Sequence, residues 1–318
     1  MQSDKIAFFC YYKFYLCQKK LNQEISIVFS NNVTVHIKRE DLIHPIVSGN
    51  KFRKLKYNLL EAKKQKKHTL LTFGGAFSNH IAAVAYAGQQ NGLKTIGIIR
   101  GDELKNHETL NSTLLFAESC GMQFEFVSRE DYRLKNEEPF LNHLKNKFGD
   151  FYLVPEGGTN ALAIKGCQEI LTDADASFDY ICCAVGTGGT ISGIINSANP
   201  NQKILGFPAL KGDFLKDEIR IFVQNVNWEL ITDYHFGGYG KVTEDLIGFI
   251  NQFYSVTQIP LDPIYTGKMV YGVMDLIANN YFPAQSKILL IHTGGLQGIP
   301  SMNEKLSRKK LPILNVNV

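Results

Sequence analysis

Residues 180–193 read YICCAVGTGGTISG: a short apolar run enters a glycine loop, and the loop opens a helix. An uninterrupted apolar run bounded in this way is the pattern of a strand covered on both faces, as strands of parallel sheets are. Working outward, TLLTF (69–73) leads into Gly74-Gly75, and KILLI (287–291) precedes Gly294-Gly295. Between these, short β-branched runs alternate with amphipathic stretches. VTVHI (33–37) is expected as a strand, then a helix from Lys51 to about Lys67, a helix from about Asn79, TIGII (95–99), a helix near 108–119 and FEFV (124–127). The second half repeats the pattern with the strand YICCAV (180–185), a helix near 190–197, KILGF (203–207) and two helices between 243 and 280. Strands separated by helical patterns of roughly ten to fifteen residues predict βαβ units and open, largely parallel sheets. Ligands of such sheets sit beyond the C-terminal strand ends. Three glycine turns there predict one shared site, although any one of them alone reads as a tight connection.

The length of 318 residues allows two α/β domains or one large one. An apolar fraction of 44% with 20% charged residues is that of an ordinary soluble globular protein. The formal charge of +4 is small. Its runs at Lys63-Lys64-Gln65-Lys66-Lys67 and Arg308-Lys309-Lys310 read as solvated faces or tails. No nucleic-acid or membrane partner is expected. Six cysteines (Cys10, Cys17, Cys120, Cys167, Cys182, Cys183) show no CxxC spacing, which points to reduced thiols and a cytoplasmic location. The histidines form neither HExxH nor a Cys/His cluster, so no metal is expected. Ile6 to Cys17 reads as an apolar leader, too short for a bilayer and interrupted by Lys13.

Three segments could carry chemistry. Ser48-Gly49-Asn50-Lys51 precedes Phe52, Leu55, Leu59 and Ala62, whose spacing makes one apolar helix face. Asn50 is expected as the N-cap. Lys51 borders the buried face, crowded by Arg53, Lys54 and Lys56. Desolvation and like charge both lower a lysine pKa, and a lysine must be neutral to form an imine. On this segment alone, a basic helix with one more exposed lysine is the better reading. The loop Gly186-Thr187-Gly188-Gly189-Thr190 offers converging N–H groups at a helix N-terminus, a natural phosphate cradle. Ile191 stands where GxGxxG needs its third glycine, and GK[ST] is absent, so a small phosphorylated cofactor fits better than a nucleotide. In Phe73-Gly74-Gly75-Ala76-Phe77-Ser78-Asn79-His80, Ser78 or Asn79 would cap the next helix. Asn79 could also bond a phenolate-type oxygen, and Ser78 a carboxylate or a proton in transit. GxSxG is missing, so no serine-hydrolase triad is read.

Taken together, Ile37-Lys38-Arg39-Glu40-Asp41, Gly49-Asn50-Lys51, Arg53-Lys54-Leu55, Gly74-Gly75 with Ser78-Asn79-His80, Pro155-Glu156-Gly157-Gly158, the GTGGT loop and Tyr265-Thr266-Gly267-Lys268 resemble one family. It is the 1-aminocyclopropane-1-carboxylate deaminase/D-cysteine desulfhydrase family of pyridoxal-phosphate enzymes, matched in order from about residue 34 to 298. The resemblance implies an α/β, tryptophan-synthase-β-like fold (pyridoxal-phosphate fold type II) with two open parallel-sheet domains. Residues 1–52 and 156–318 would form the large cofactor-binding domain and 53–155 the small inserted one. It implies that Lys51 carries pyridoxal 5'-phosphate as a Schiff base and serves as α-proton base. Asn50 falls in the same cofactor-binding segment, Asn79 lies on the cofactor's ring hydroxyl, and residues 186–190 form the phosphate cup. Ser78 would handle the substrate carboxylate and protons, with His80, Tyr239 and Tyr265 also facing a small amino-acid substrate. A homodimer is implied by the same likeness.

Three positions bear on the branch. Deaminases of the family look like Ser-Asn-Gln, Tyr-Glu-Gly-Lys and His-Leu-Gly-Gly, whereas this chain has His80, Thr266 and Thr293, similar to the desulfhydrase pattern. A carboxylate beside the pyridine nitrogen would make the ring a strong electron sink, which opening a cyclopropane should need. A threonine hydroxyl leaves that nitrogen largely neutral, which suffices for losing an α-proton and a thiolate. The expected reaction is α,β-elimination from a small D-amino acid, D-cysteine giving pyruvate, ammonia and sulfide. The alternatives are a 1-aminocyclopropane-1-carboxylate deaminase giving 2-oxobutyrate, and a cofactor-binding protein with little turnover. The chain departs from the family at Ala82-Ala83, where an Arg-Gln pair is usual, at Ser48, and in being short around 207–245.

Overall fold

A computed structural model describes residues 21–29, 31–106 and 110–317. The apolar leader Ile6 to Cys17 lies outside the described residues. Among the described residues, ten strands form two sheets. They are β1 (Asn22–Glu24), β2 (Thr34–Lys38), β3 (Thr69–Gly75), β4 (Lys94–Arg100), β5 (Met122–Val127), β6 (Tyr152–Val154), β7 (Tyr180–Val185), β8 (Lys203–Pro208), β9 (Trp228–Leu230) and β10 (Lys287–Ile291). One sheet has the order β1-β2-β10-β7-β8-β9 and the other β5-β4-β3-β6. Every pairing is parallel except β1 with β2. The four-stranded sheet uses only residues between 69 and 154, and the six-stranded one gathers strands from both sides of that segment.

Alternation explains why YICCAV carries no polar residue. Cys182 and Ala184 point into a core with Ile247, Ile250, Met269 and Val273. Ile181, Cys183 and Val185 point into another, with Ile191, Ile194 and Ile195. Those residues belong to helices that cover the two faces: α5 (Glu244–Thr257) and α6 (Thr266–Ala278) on one, α4 (Gly189–Ser197) on the other. Burying each of Ile191, Ile194 and Ile195 stabilises by roughly 1.5–3 kcal/mol, so the loop opening α4 rides on a firmly seated helix. The smaller sheet is covered on one face by α1 (Asn50–Lys64) and α2 (Asn79–Gln90), through Phe52, Leu55, Leu59, Ile81 and Val84. On its other face Phe73 and Ile98 meet Tyr132 and Leu144.

The strands and helices expected from the sequence are present, with ends shifted by a few residues. The expected helix near 108–119 is α3 (Ser112–Ser119), and residues 107–109 are outside the description. Cys120, Cys167, Cys182 and Cys183 are free and buried. Among the described residues no helix is long and apolar enough to cross a membrane.

Candidate active site

The three glycine turns meet. Gly49 sits at φ +58, and a Cβ on it would stand 2.1 Å from the Thr293 carbonyl oxygen, so only glycine lets the start of α1 lie against the loop after β10. Asn50 N–H donates to that same carbonyl at 3.3 Å. Its side-chain amide donates to Thr190 Oγ1 at 2.9 Å. This corrects the expected cap: Gly49 occupies the N-cap without a side-chain bond, and Asn50 is turned to the glycine loop instead. Asn79, at the start of α2, donates to Gly295 O at 3.3 Å. One cleft is therefore lined by segments hundreds of residues apart in sequence.

The motif before α1 is scaffold. Lys38 pairs with Asp175 at 2.6 Å, Arg39 with Asp41 at 2.8 Å, and Glu40 with Arg53 at 2.8 Å. Lys56 pairs with Glu169 at 2.6 Å. The crowding expected around Lys51 thus reduces to one residue, because Arg53 and Lys56 already face carboxylates. Burial, then the charge of Lys54, brings the Lys51 amine down to about 7. A large share of it is neutral near pH 7.

Lys54 is the residue the sequence reading passed over. It is 2% exposed. Its Nζ donates to Gly157 O at 2.9 Å and Thr159 Oγ1 at 3.2 Å. A Cβ on Gly189 would stand 3.2 Å from that Nζ, which places the ammonium over the first turn of α4. Thr159 and Thr187 hydroxyls meet 2.6 Å apart beside it. Among the described residues no carboxylate pairs with Lys54. A buried cation and the positive end of a helix face one another, an arrangement that an anion relieves. Gly188, at φ +80, caps α4 and aims its first-turn N–H groups at the same place. The signal was available: Lys54 is three residues after Lys51, on one helix face.

Ser78 is the N-cap of α2, accepting from Ile81 N–H at 3.4 Å. Asn79 leaves its buried Oδ1 without a partner. A buried orphan acceptor calls for a donor from a bound group. His80 is 2% exposed, with Nε2 2.8 Å from Thr72 Oγ1 and Nδ1 unpartnered. Burial, then Lys51 and Lys54, holds its pKa well below the usual histidine range, so it stays neutral. A Cβ on Gly158 would meet the His80 ring at 3.1 Å and the Lys54 stem at 3.6 Å, so the imidazole packs beside Lys54.

Tyr265 lies over the cup: a Cβ on Gly186 would meet its ring at 3.1 Å. The Tyr239 ring is 6.2 Å from it. Burial raises both phenol pKa values, and the two hydroxyls influence each other. Thr266 is fully buried, and its hydroxyl donates to Asp262 Oδ2 at 2.6 Å while accepting from Asp262 N–H at 3.0 Å. Asp262 also accepts from the N–H groups of Ile264, Tyr265 and Thr266. The sequence reading missed this carboxylate, which closes an Asx-type turn into α6 through the N–H groups two, three and four residues on. Thr293 is 8% exposed and gives its carbonyl to Asn50. Among the described residues no group of three or more His, Cys, Asp or Glu could hold a metal ion.

These features fit pyridoxal phosphate. Lys54, Thr187 and the 186–190 loop would hold its phosphate, Asn79 its ring hydroxyl, and Lys51 its aldehyde carbon. The model for the pyridoxal-phosphate dependent enzyme family matches residues 26–294. A putative 1-aminocyclopropane-1-carboxylate deaminase of Thermotoga maritima is 32% identical over 295 residues, covering 86% of this chain and 92% of that protein. A bifunctional D-cysteine desulfhydrase/1-aminocyclopropane-1-carboxylate deaminase of Arabidopsis thaliana is also 32% identical, covering 85% of this chain and 74% of its own. The D-cysteine desulfhydrase of Yersinia pestis is 29% identical, covering 82% and 86%. A crystal structure of an ACC deaminase homologue superposes with a TM-score of 0.80 at 29% identity, covering 90% of this chain and 92% of that one.

Proposed function

Because the chain belongs to the pyridoxal-phosphate-dependent enzyme family, we propose that it eliminates the β-substituent of a small D-amino acid, converting D-cysteine and water to pyruvate, ammonia and sulfide. The coarser statement, elimination and deamination of a small amino acid, rests on relatives named for both activities. One arrangement carries the reading: Lys51 stands one helical turn from the buried cation of Lys54, which no carboxylate among the described residues pairs, at the N-terminus of α4. Bound there, the cofactor supplies an electron sink for the bond broken at Cα. The protein's part is proton handling and orientation. Lys51 Nζ, in its neutral form, takes the α-proton. Ser78 Oγ and the first-turn N–H groups of α2 hold the substrate carboxylate. Tyr265 Oη, kept protonated by its burial, gives a proton to the departing sulfur. Tyr239, half-exposed beside it, borders the substrate at the cleft mouth.

His80, Thr266 and Thr293 favour the desulfhydrase over the deaminase. They stand where deaminases of the family look like glutamine, glutamate and leucine. The deaminase reading is favoured by the name of the Thermotoga maritima relative. Supplying each substrate to the loaded enzyme separates the two. Sulfide with pyruvate from D-cysteine supports the elimination, and 2-oxobutyrate from the cyclopropane substrate overturns it. A loaded protein that yields no product from any D- or L-amino acid would be a cofactor-binding protein instead.

A further inference from the structure

Lys268 belongs to the Tyr265–Lys268 run but takes no part in the chemistry above. It is among the largest fully buried side chains, at 2% exposure. Its Nζ donates to His235 O and to Gly238 O, both at 2.9 Å. Those carbonyls belong to residues 235–240, a loop with neither strand nor helix. Within it Phe236, Gly237, Gly238 and Gly240 all have positive φ. Such a chain cannot hold itself with ladder bonds. Its internal backbone bonds run from Gly238 N–H to His235 O and from Lys241 N–H to Gly238 O, at 3.0 and 3.2 Å. The two carbonyls that close these turns are the ones Lys268 holds. Lys305 adds a bond to Gly240 O at 3.3 Å.

The loop carries Tyr239, whose ring lies 6.2 Å from that of Tyr265. Tyr265 and Lys268 are one turn apart at the start of α6, so they share a face of that helix. One end of α6 thus meets both the side chain of Tyr239 and the backbone around it. An ammonium suits the task, since it has three donors on a flexible stem and can reach two divergent carbonyls. Its charge is offset by Asp262, which lies near enough to oppose the burial penalty.

We propose that Lys268 is a positioning residue that fixes the 235–240 loop and thereby sets Tyr239 over the substrate site. The claim about substrate rests on the reading of Tyr239 and Tyr265 given above, whereas the claim about the loop does not. Hydrogen–deuterium exchange of the pyridoxal-phosphate-loaded enzyme tests the loop. In the wild type, the Gly238 and Lys241 amides should exchange at least about tenfold slower than in an unstructured chain. In Lys268→Met that protection should drop about tenfold, with the cofactor's absorption and dissociation constant unchanged. Protection below twofold in the wild type, or equal protection in a folded variant, overturns the proposal. Should Lys268→Met fail to fold, the wild-type measurement still decides.

Steady-state kinetics then tests the link to substrate. Lys268→Met should raise KM about fivefold with kcat changed less than twofold, and should add nothing in a Tyr239→Phe background. Additive effects of the two substitutions would show that Lys268 does not act through Tyr239. If Tyr239→Phe alone leaves KM unchanged, the substrate reading of the tyrosines is wrong, and the exchange data still judge the loop.

Discussion

The cup at residues 186–190 and the rim loop at residues 235–240 close on the same cleft by different means. The cup hangs between β7 and α4, whose Ile191, Ile194 and Ile195 are fully buried, and its shape is backbone shape. Three residues fasten it: Asn50 bonds Thr190, Thr159 bonds Thr187, and Gly157 lies so close that a Cβ there would meet Thr187 at 2.8 Å. The rim loop has no such frame and depends on bonds from Lys268 and Lys305 to its carbonyls. A cofactor site built on strand ends tolerates little change. A rim pinned by a few side chains can be reshaped without disturbing it.

The sharpest way to break the comparison is at Lys51. Lys51→Ala should cut product formation by roughly 10³-fold or more, with an unchanged far-ultraviolet circular dichroism spectrum. Borohydride should fix the cofactor to the Lys51 peptide in the wild type and not in the variant. Persistent turnover would mean that the inner wall is not where the proton is handled. Lys54→Met comes next. Losing a buried charged donor, worth about 1.5–3 kcal/mol, should weaken cofactor binding about 10–100-fold by equilibrium dialysis. An unchanged affinity would remove Lys54 from the phosphate site.

The pH dependence sharpens the same wall. Lys51 is lowered to about 7, so the reactive neutral form is lost as pH falls through 7 and is nearly complete at pH 8. Capture of pyridoxal phosphate by the cofactor-free protein should therefore be about tenfold slower at pH 6 than at pH 8. An unperturbed lysine would keep gaining until pH passes 10. In Lys54→Met the midpoint should move up, since one cause of the depression is gone. Stopped-flow absorbance gives both midpoints, and coincident profiles would show that Lys54 does not act on Lys51.

How far the sequence reaches follows the same division. YICCAV, TLLTF and KILLI were legible because strands covered on both faces read as nearly continuous apolar runs. Strands β1, β6 and β9 were not, because three residues carry too little alternation to read. Asn50 misled because a good capping residue at a helix start has a second use when a hydroxyl from 140 residues away stands within reach. In sequence Lys54 reads only as one of three cations crowding Lys51; the fold shows that Arg53 and Lys56 are paired with carboxylates and that Lys54, among the described residues, is not. Asp262 was invisible because its role lies in bonds to Thr266 and three backbone N–H groups.

The smallest effect asks whether the inner wall is one unit. The Asn50 amide and Thr190 hydroxyl share a single neutral bond of 2.9 Å. Such a bond contributes about 1 kcal/mol, so Asn50→Ala should weaken cofactor binding about fivefold, as should Thr190→Val. Both residues flank functional groups: Asn50 precedes Lys51, and Thr190 ends the cup. If their bond is what keeps amine and cradle in register, each single variant already loses it. The double variant should then bind about as weakly as either one alone. Independent contributions would multiply to about twenty-five-fold, beyond the error of a dialysis measurement. A multiplied loss would mean that the lysine helix and the glycine cup reach the cofactor separately, and that the unity of the inner wall lies in its backbone contacts at Gly49 and Thr293 rather than in this bond.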